Sequence, residues 1–183
     1  NAGHMGGWFN PDTPGQGVLV DVDEAHDFLF GAWFTYTLDS SANPHEQHWF
    51  TAQGNYAGNK SELTVYESLG GRFDDSAVVE TLPVGTATLS FPDCASGVLS
   101  YRIDTLGLRG DFLLVRLLPG SETNCETRHA ASTQAVDINP GMNGGWYDDQ
   151  TSGQGFLIDS LSNAEGDDFI FVAWFTYGDA NAS

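Results

Sequence analysis

Basic residues are scarce in this chain of 183 residues: Lys60 is the only lysine, and Lys and Arg together number 6 against 25 Asp and Glu. The formal net charge of −19 at pH 7 repels phosphate backbones and anionic lipids. The composition therefore argues against nucleic-acid binding and against attachment to a membrane surface. Such a charge keeps a protein soluble or attracts cations, and we take solvation as its main role.

Two further absences concern helices. No apolar run approaches the roughly 18 residues that a membrane-spanning helix needs. No stretch repeats its apolar residues at the 3.6-residue period of an amphipathic helix. The 22 glycines instead predict many tight turns. Residues 1–5 resemble an expression scar and are left out of the predicted fold.

What the chain does contain is an internal repeat. The sequence GGWFNPDTPGQGVLVDVDEAHDFLFGAWFTY at 6–36 returns at 144–177 as GGWYDDQTSGQGFLIDSLSNAEGDDFIFVAWFTY, with three extra residues in its middle. The copies share 17 of 31 aligned residues and lie 138 positions apart before the insertion. This period has the length of a domain and exceeds the roughly 20–50 residues of solenoid or propeller repeats. We therefore predict one complete β unit at 6–139 and, at 140–183, the first hairpin of a second, truncated unit.

The repeated segments alternate in the way that β-strands require. In the predicted strand 28–37, Phe30 and Phe34 lie on one face and Leu29 and Trp33 on the other, so both faces are apolar. We expect this strand to be covered on both sides, or to present one face to a ligand or partner. An apolar hairpin left in solvent would be an aggregation hazard. The second copy should therefore dock on the first unit's sheet, so that both AWFTY strands share one enlarged sheet or barrel, or swap with another chain to give a homodimer.

Short strands separated by turn residues are predicted along the rest of the first unit. Together with strand 28–37 they are 18–22, 48–53, 61–67, 86–91, 98–103 and 111–117. Seven or eight strands in simple succession predict an all-β fold. We expect an antiparallel meander, closed as a barrel or folded as a sandwich, with the extra repeated hairpin beside it.

The two cysteines fit this strand order. Cys94 precedes strand 98–103 and Cys125 follows strand 111–117, and in a meander these two positions lie at the same edge of the sheet. A disulfide between them would stabilise the fold by roughly 3–4 kcal/mol in the chain-entropy model. It also predicts a periplasmic or extracellular protein.

Several motifs together carry a resemblance to a known family. They are GGW, GQG and AWFTY, the segment WFTAQG at 49–54, GTATLSFPDCASGVLSY at 85–101, and the stretch from RLLPG to Cys125. In combination they resemble a family of secreted bacterial β-domains of uncharacterised activity, which carry the unit singly or in tandem. The resemblance covers 6–126 and the partial copy at 144–177. It implies an exported all-β module with a cystine, and it gives no established activity to carry over to this chain. The second copy departs from the family by lacking WFTAQG and both cysteines.

Candidate metal sites are few. His45 and His48 are three residues apart, whereas a helical zinc motif spaces its histidines by four, and on a strand an odd spacing places them on opposite faces. Asp21, Asp23 and Asp27 form an acidic turn whose oxygens could bind Ca²⁺. That turn lacks the Gly and the closing Glu of an EF-hand loop. We prefer a solvated hairpin turn and predict no cofactor.

Catalytic and phosphate-binding motifs are also weak. Gly15-Gln16-Gly17 and its copy at 153–155 lack the Lys-Ser/Thr and the following helix of a phosphate loop. We assign these glycines to positive φ or to close backbone approach, with the glutamine amide bonding loop groups. No GxSxG turn or triad is recognisable, and no catalytic residue is predicted.

Aromatic side chains give the best candidates for a binding site. Flat rings stack on sugars, and side-chain amides bond hydroxyl groups. The candidate ligand-binding residues are Trp8, Trp49, Gln53, Asn55 and Tyr56. The alternative is that the tryptophans fill the core, which we favour for Trp33 and leave open for Trp49.

Three functions follow from these features. The first is an exported, non-catalytic binding module for a glycan or another cell-surface ligand. The second is a structural or adhesive tandem repeat whose partner is its neighbouring unit, and the third is a small hydrolase or metal enzyme. Duplication favours the first two, because it multiplies avidity or length without catalytic residues.

Overall fold

The computed structural model describes residues 2–37, 46–73, 76, 78–118, 143–147, 150, 153–162 and 168–177. Within these residues the regular structure is β, apart from two 3-10 turns of three residues each. The strands are β1 (Gly6–Phe9), β2 (Gly17–Asp23), β3 (Phe28–Tyr36), β4 (Gln47–Ala57), β5 (Lys60–Leu69), β6 (Glu80–Ser90), β7 (Ser96–Ile103), β8 (Leu108–Arg116), β9 (Gly144–Tyr147), β10 (Gly155–Ser162) and β11 (Asp168–Phe175). No helix in the described part of the chain is long and apolar enough to cross a membrane.

Strands β1 to β8 form a closed antiparallel barrel in sequence order. The predicted all-β meander is confirmed, and the choice between barrel and sandwich is decided for the barrel. The strand that closes it, β1, was missing from the predicted list, because its Gly-Gly start is atypical of strands. It pairs with β2 along its length and with β8 at Trp8↔Arg116 and Phe9↔Val115.

The barrel interior is filled by side chains, as expected for eight strands. Trp33 lies at its centre, with ring centroids 4.9 Å from Tyr101, 5.4 Å from Phe50 and 6.2 Å from Phe112. The remaining buried core residues are Trp8, Val18, Val20, Val22, Leu29, Ala52, Leu63, Val65, Val84, Ala87, Leu89, Phe91, Leu99, Ile103 and Leu114. The assignment of Trp33 to the core is therefore confirmed.

Residues 2–5, left out of the predicted fold, pack against one end of the barrel. The His4 ring stacks on Phe91 with centroids 4.4 Å apart, and its carbonyl accepts a hydrogen bond from Trp8 Nε1 at 3.0 Å. Arg116 binds the same segment: its guanidinium donates to Met5 O at 2.8 Å and lies 4.0 Å from the centroid of the Trp8 ring. These contacts cover the junction between β1 and β8.

Cys94 lies in the turn between β6 and β7. Its carbonyl oxygen accepts a hydrogen bond from Nε of Arg116, the last residue of β8, at 3.0 Å. The turn and the end of β8 therefore lie at the same edge, as the strand order predicts. Cys125 lies outside the described residues, so its pairing with Cys94 stays a prediction.

Candidate functional site: the interface between the repeats

Strands β9 to β11 fold like β1 to β3. Gly6 pairs with Val20 in the first copy, and Gly144 pairs with Ile158 in the second. The other ladder also matches, because Gly17↔Phe34 corresponds to Gly155↔Phe175. The second copy forms a separate three-stranded sheet in the order β11-β10-β9. The two AWFTY strands thus lie in different sheets, whereas docking within one chain was expected to place them in one enlarged sheet or barrel.

The three-stranded sheet packs on the outside of the barrel, against the outward face of β2 and β3. Buried together there are Leu19 and Ala32 from the barrel with Leu157 and Phe175 from the sheet. Half-buried side chains surround them, namely Phe30, Phe34, Trp49, Phe171 and Ala173. We call this surface the inter-repeat interface. It explains why strand 28–37 is apolar on both faces: one face lines the barrel interior and the other lies in the interface.

Most members of the interface are equivalent positions of the two repeats. Leu19 corresponds to Leu157, and the phenylalanines Phe30 and Phe34 correspond to Phe171 and Phe175. The two copies therefore bury the same face against each other. Contact between identical patches is the mark of a two-fold arrangement.

Two hydrogen bonds show the same reciprocity. The Gly145 N–H donates to Asp21 Oδ2 at 2.9 Å, and the Gly7 N–H donates to Asp159 Oδ2 at 3.1 Å. Asp159 lies 138 positions after Asp21, and Gly145 lies 138 positions after Gly7. Each repeat thus gives its aspartate to the backbone of the other.

The glycine before each donor leaves room for the facing carboxylate. Gly6 has φ +107° and Gly144 has φ +121°, where side chains are strained. A Cβ on Gly144 would lie 2.9 Å from the carboxylate oxygens of Asp21, and a Cβ on Gly6 would clash with the carboxylate of Asp159. The Gly-Gly pairs of both repeats are therefore part of the interface.

The environment of Asp159 differs from that of a surface carboxylate. Only 3 % of the residue is exposed, and burial raises the pKa of its carboxyl group. The hydrogen bond from Gly7 and the positive charge of Arg116 lower the pKa, without cancelling the effect of burial. Asn143 supports the carboxylate from its own repeat, because Nδ2 lies 3.2 Å from Asp159 Oδ1.

The GQG segments have the structural role that the sequence suggests. The first glycine has positive φ in both copies, +82° at Gly15 and +76° at Gly153. The glutamine side chain accepts a hydrogen bond from the threonine of AWFTY, from Thr35 to Gln16 and from Thr176 to Gln154. Gln154 Nε2 also donates to a barrel loop, at 3.1 Å from Arg72 O.

Two clefts flank the interface, and each is lined by residues of both repeats. The smaller, of about 470 Å³, lies beside Trp146 and Tyr147 and includes Asp21, Trp49 and Thr51. The larger, of about 930 Å³, lies beside the equivalent residues of the first repeat and extends to Trp49 and Tyr177. Trp49 itself packs on the second repeat, with ring centroids 5.6 Å from Phe175 and 5.9 Å from Tyr177.

The predicted ligand-binding residues do not form one site. Trp8 is 1 % exposed inside the barrel, so its ring has no free face for a ligand, and Tyr56 packs against the same core. Gln53 and Asn55 share the outer face of β4 with Trp49, and Asn55 lies about 20 Å along the strand from it. Asn55 Nδ2 donates to Asp27 O at 3.3 Å. Of the five residues, Trp49 lines both clefts and Trp8 lines only the larger one, while Gln53, Asn55 and Tyr56 line neither.

The acidic turn does not gather its carboxylates around a common point. Asp21 binds the second repeat, while Asp23 accepts hydrogen bonds from Ala25 N and contacts His26 Nδ1 at 2.6 Å. Among the described residues, no three His, Cys, Asp or Glu side chains are placed to hold a metal ion. His48 Nε2 lies 3.2 Å from Glu67 Oε1, and His45 lies outside the described residues.

Comparison with known proteins adds no assignment: no protein-family model, no curated protein and no solved structure matches the chain at a significant level.

Proposed function

We propose that the chain is a structural tandem repeat of an exported protein, in which the outer face of β2 and β3 binds the same face of the neighbouring unit. The observation that carries this proposal is the reciprocal pair of bonds, Asp21 to Gly145 and Asp159 to Gly7. A chance contact between two sheets would not use the same residues from both sides. The buried Leu19 and Leu157 follow the same rule.

The arrangement sets a limit on the size of the assembly. A contact that uses the same patch on both partners is closed, since neither partner keeps a free copy of the patch for a third. Units would therefore associate in pairs and would not extend into a filament through this surface. The export of the protein rests on the cysteine pair and on the family resemblance, and stays a prediction.

The proposal is tested by placing a charge in the interface. Leu19 points away from the barrel interior and is 4 % exposed, so Leu19→Lys should release β9 to β11 and leave the barrel folded. Hydrogen exchange would show loss of protection in β10 and β11 with β6 and β7 unchanged. Leu113→Lys is the matched control, because Leu113 is 57 % exposed on β8 and should have little effect. Unchanged protection of β10 and β11 in Leu19→Lys would contradict the proposal.

A second function is supported by the smaller cleft. Trp49 and Tyr147 there present aromatic surface next to Asp21 and Thr51, a combination suited to a glycan or another polar cell-surface ligand. Titration with a glycan panel, followed by tryptophan fluorescence, tests this function. Binding should disappear in Tyr147→Ala and persist in Trp8→Phe, because Tyr147 lines the cleft and the Trp8 ring lies inside the barrel. Absence of any binding in the unsubstituted protein would argue against it.

A further inference from the structure

The three-stranded sheet has a second face, which points away from the interface. It carries large apolar side chains that are exposed. Trp146, Phe156, Ile170, Val172 and Trp174 are 50, 41, 48, 45 and 54 % exposed. A contiguous apolar face of this kind marks an interaction surface.

The first repeat shows what such a face is used for. The equivalent positions there are Trp8, Val18, Leu29, Gly31 and Trp33. All five are buried, and the tryptophans Trp8 and Trp33 are 1 and 4 % exposed. In the first unit this face is the inner wall of the barrel.

The edges of the sheet give the same indication. β9 and β11 each pair with β10 on one side, and no other strand of the described chain pairs with their outer edges. Their equivalents β1 and β3 use those edges to pair with β8 and β4. The sheet therefore has the form of a barrel from which five adjacent strands are missing. Open edges beside an apolar face are a strong template for further strands.

We infer that this face is the inner wall of a second barrel. Its partner is a five-strand antiparallel segment with the apolar pattern of β4 to β8. A second copy of this chain could not supply such strands while its own barrel stays closed, because its β4 and β8 already pair with β3 and β1. Phe73, which reaches the face from the loop after β5 and lies 5.4 Å from the Trp174 ring, would be displaced.

This inference does not depend on the proposed function, since the two concern opposite faces of the same sheet. Trp49 reports on the inter-repeat interface, whereas Trp146 and Trp174 report on the second face. One labelling experiment can therefore follow both.

The test replaces residues 178–183 with a copy of residues 37–118, so that the copy follows Tyr177 as Thr37 follows Tyr36. Hydroxyl-radical labelling and peptide mass spectrometry then measure each tryptophan. Labelling of Trp174 should fall about tenfold, from that of a 54 % exposed ring to that of Trp33, which is 4 % exposed in the same molecule. Trp146 should fall in the same way to the level of Trp8, and Trp49 should not change.

The matched control is the same extension with lysine at the copies of Phe50, Leu63 and Leu89, which are 1, 4 and 0 % exposed in the first barrel. This extension should leave Trp146 and Trp174 labelled. The inference is wrong if the two rings stay labelled with the unsubstituted extension, including the case in which the added segment remains unfolded. It is also wrong if labelling of the unextended chain falls with protein concentration, since a second copy would then cover the face. A change confined to Trp49 would instead count against the proposed function.

Discussion

Phe175 offers a quantitative test of how firmly the second repeat is held. The residue is 8 % exposed, lies in the interface cluster and contacts the ring of Trp49. Replacing a buried Phe by Ala typically costs about 3–5 kcal/mol, the sum of lost transfer free energy and the cavity left behind. Phe175→Ala should weaken docking of the sheet by about this amount, unless the docking free energy itself is smaller, in which case the sheet is released.

The assay is amide hydrogen exchange, which reports local opening of each element. A loss of about 3 kcal/mol corresponds to at least about a hundredfold fall in the protection of β10 and β11. The barrel strands β6 and β7 should keep their protection. Phe169→Ala is the control: it removes the same side chain from the same face of β11, but Phe169 is 49 % exposed and its loss should cost little. Equal effects of the two substitutions would refute the assignment of Phe175 to a buried interface. If β6 and β7 lost protection to the same extent as β10 and β11, barrel and sheet would open as one unit.

Three further predictions concern charge, backbone and cysteine. Burial raises the pKa of Asp159 above its ordinary value of 3.8, so between these two pKa values the docked state binds more protons than the released state. Docking should therefore weaken as pH rises through the raised pKa. Hydrogen exchange measured across pH should show this dependence, and Asp159→Asn should remove it. Gly144→Ala should release the sheet because its Cβ meets the facing carboxylate, whereas Gly58→Ala, also at positive φ but with nothing within 4 Å, should cost only backbone strain in thermal unfolding. Peptide mapping without reduction should recover Cys94 and Cys125 as one linked species, and two free thiols in the oxidised protein would contradict the pairing.

The fold could be predicted from the sequence where alternation and turn residues agree. The two apolar faces of strand 28–37 predicted either cover on both sides or a partner, and the structure gives the inner face to the barrel and the outer one to the second repeat. Strand β1 was missed because a local pattern of four residues that starts Gly-Gly carries too little signal. Its place is fixed by pairing with β8 at the far end of the unit, which is a tertiary effect.

The candidate site was predicted less well. Gln53, Asn55 and Tyr56 were grouped with Trp49 for the chemistry of their side chains. Strand geometry separates Gln53 and Asn55 from Trp49 by distance along β4, and it places Tyr56 on the other face. The residues that hold the interface, Asp21 and Gly7, carry no signal in one copy alone. The signal lies in the repeat: the two residues recur as Asp159 and Gly145 at a constant offset of 138. Polar residues that recur in both copies at one offset indicate contacts between the copies.

Because its side chains alternate, β3 takes part in two separate hydrophobic contacts. Leu29 and Trp33 specify the barrel interior, while Phe30 and Phe34 specify the contact with the next unit. Because successive side chains point to opposite faces, a substitution on one face leaves the other free to keep its role. Duplication of such a unit copies both apolar faces at once. The copy contacts the original through one of the two inherited faces, and it exposes the other face, which in the first unit lines the barrel interior. The two faces together therefore explain the repeat of AWFTY. If the segment lined only a barrel interior, its second copy would lack the apolar outer face that contacts the first unit.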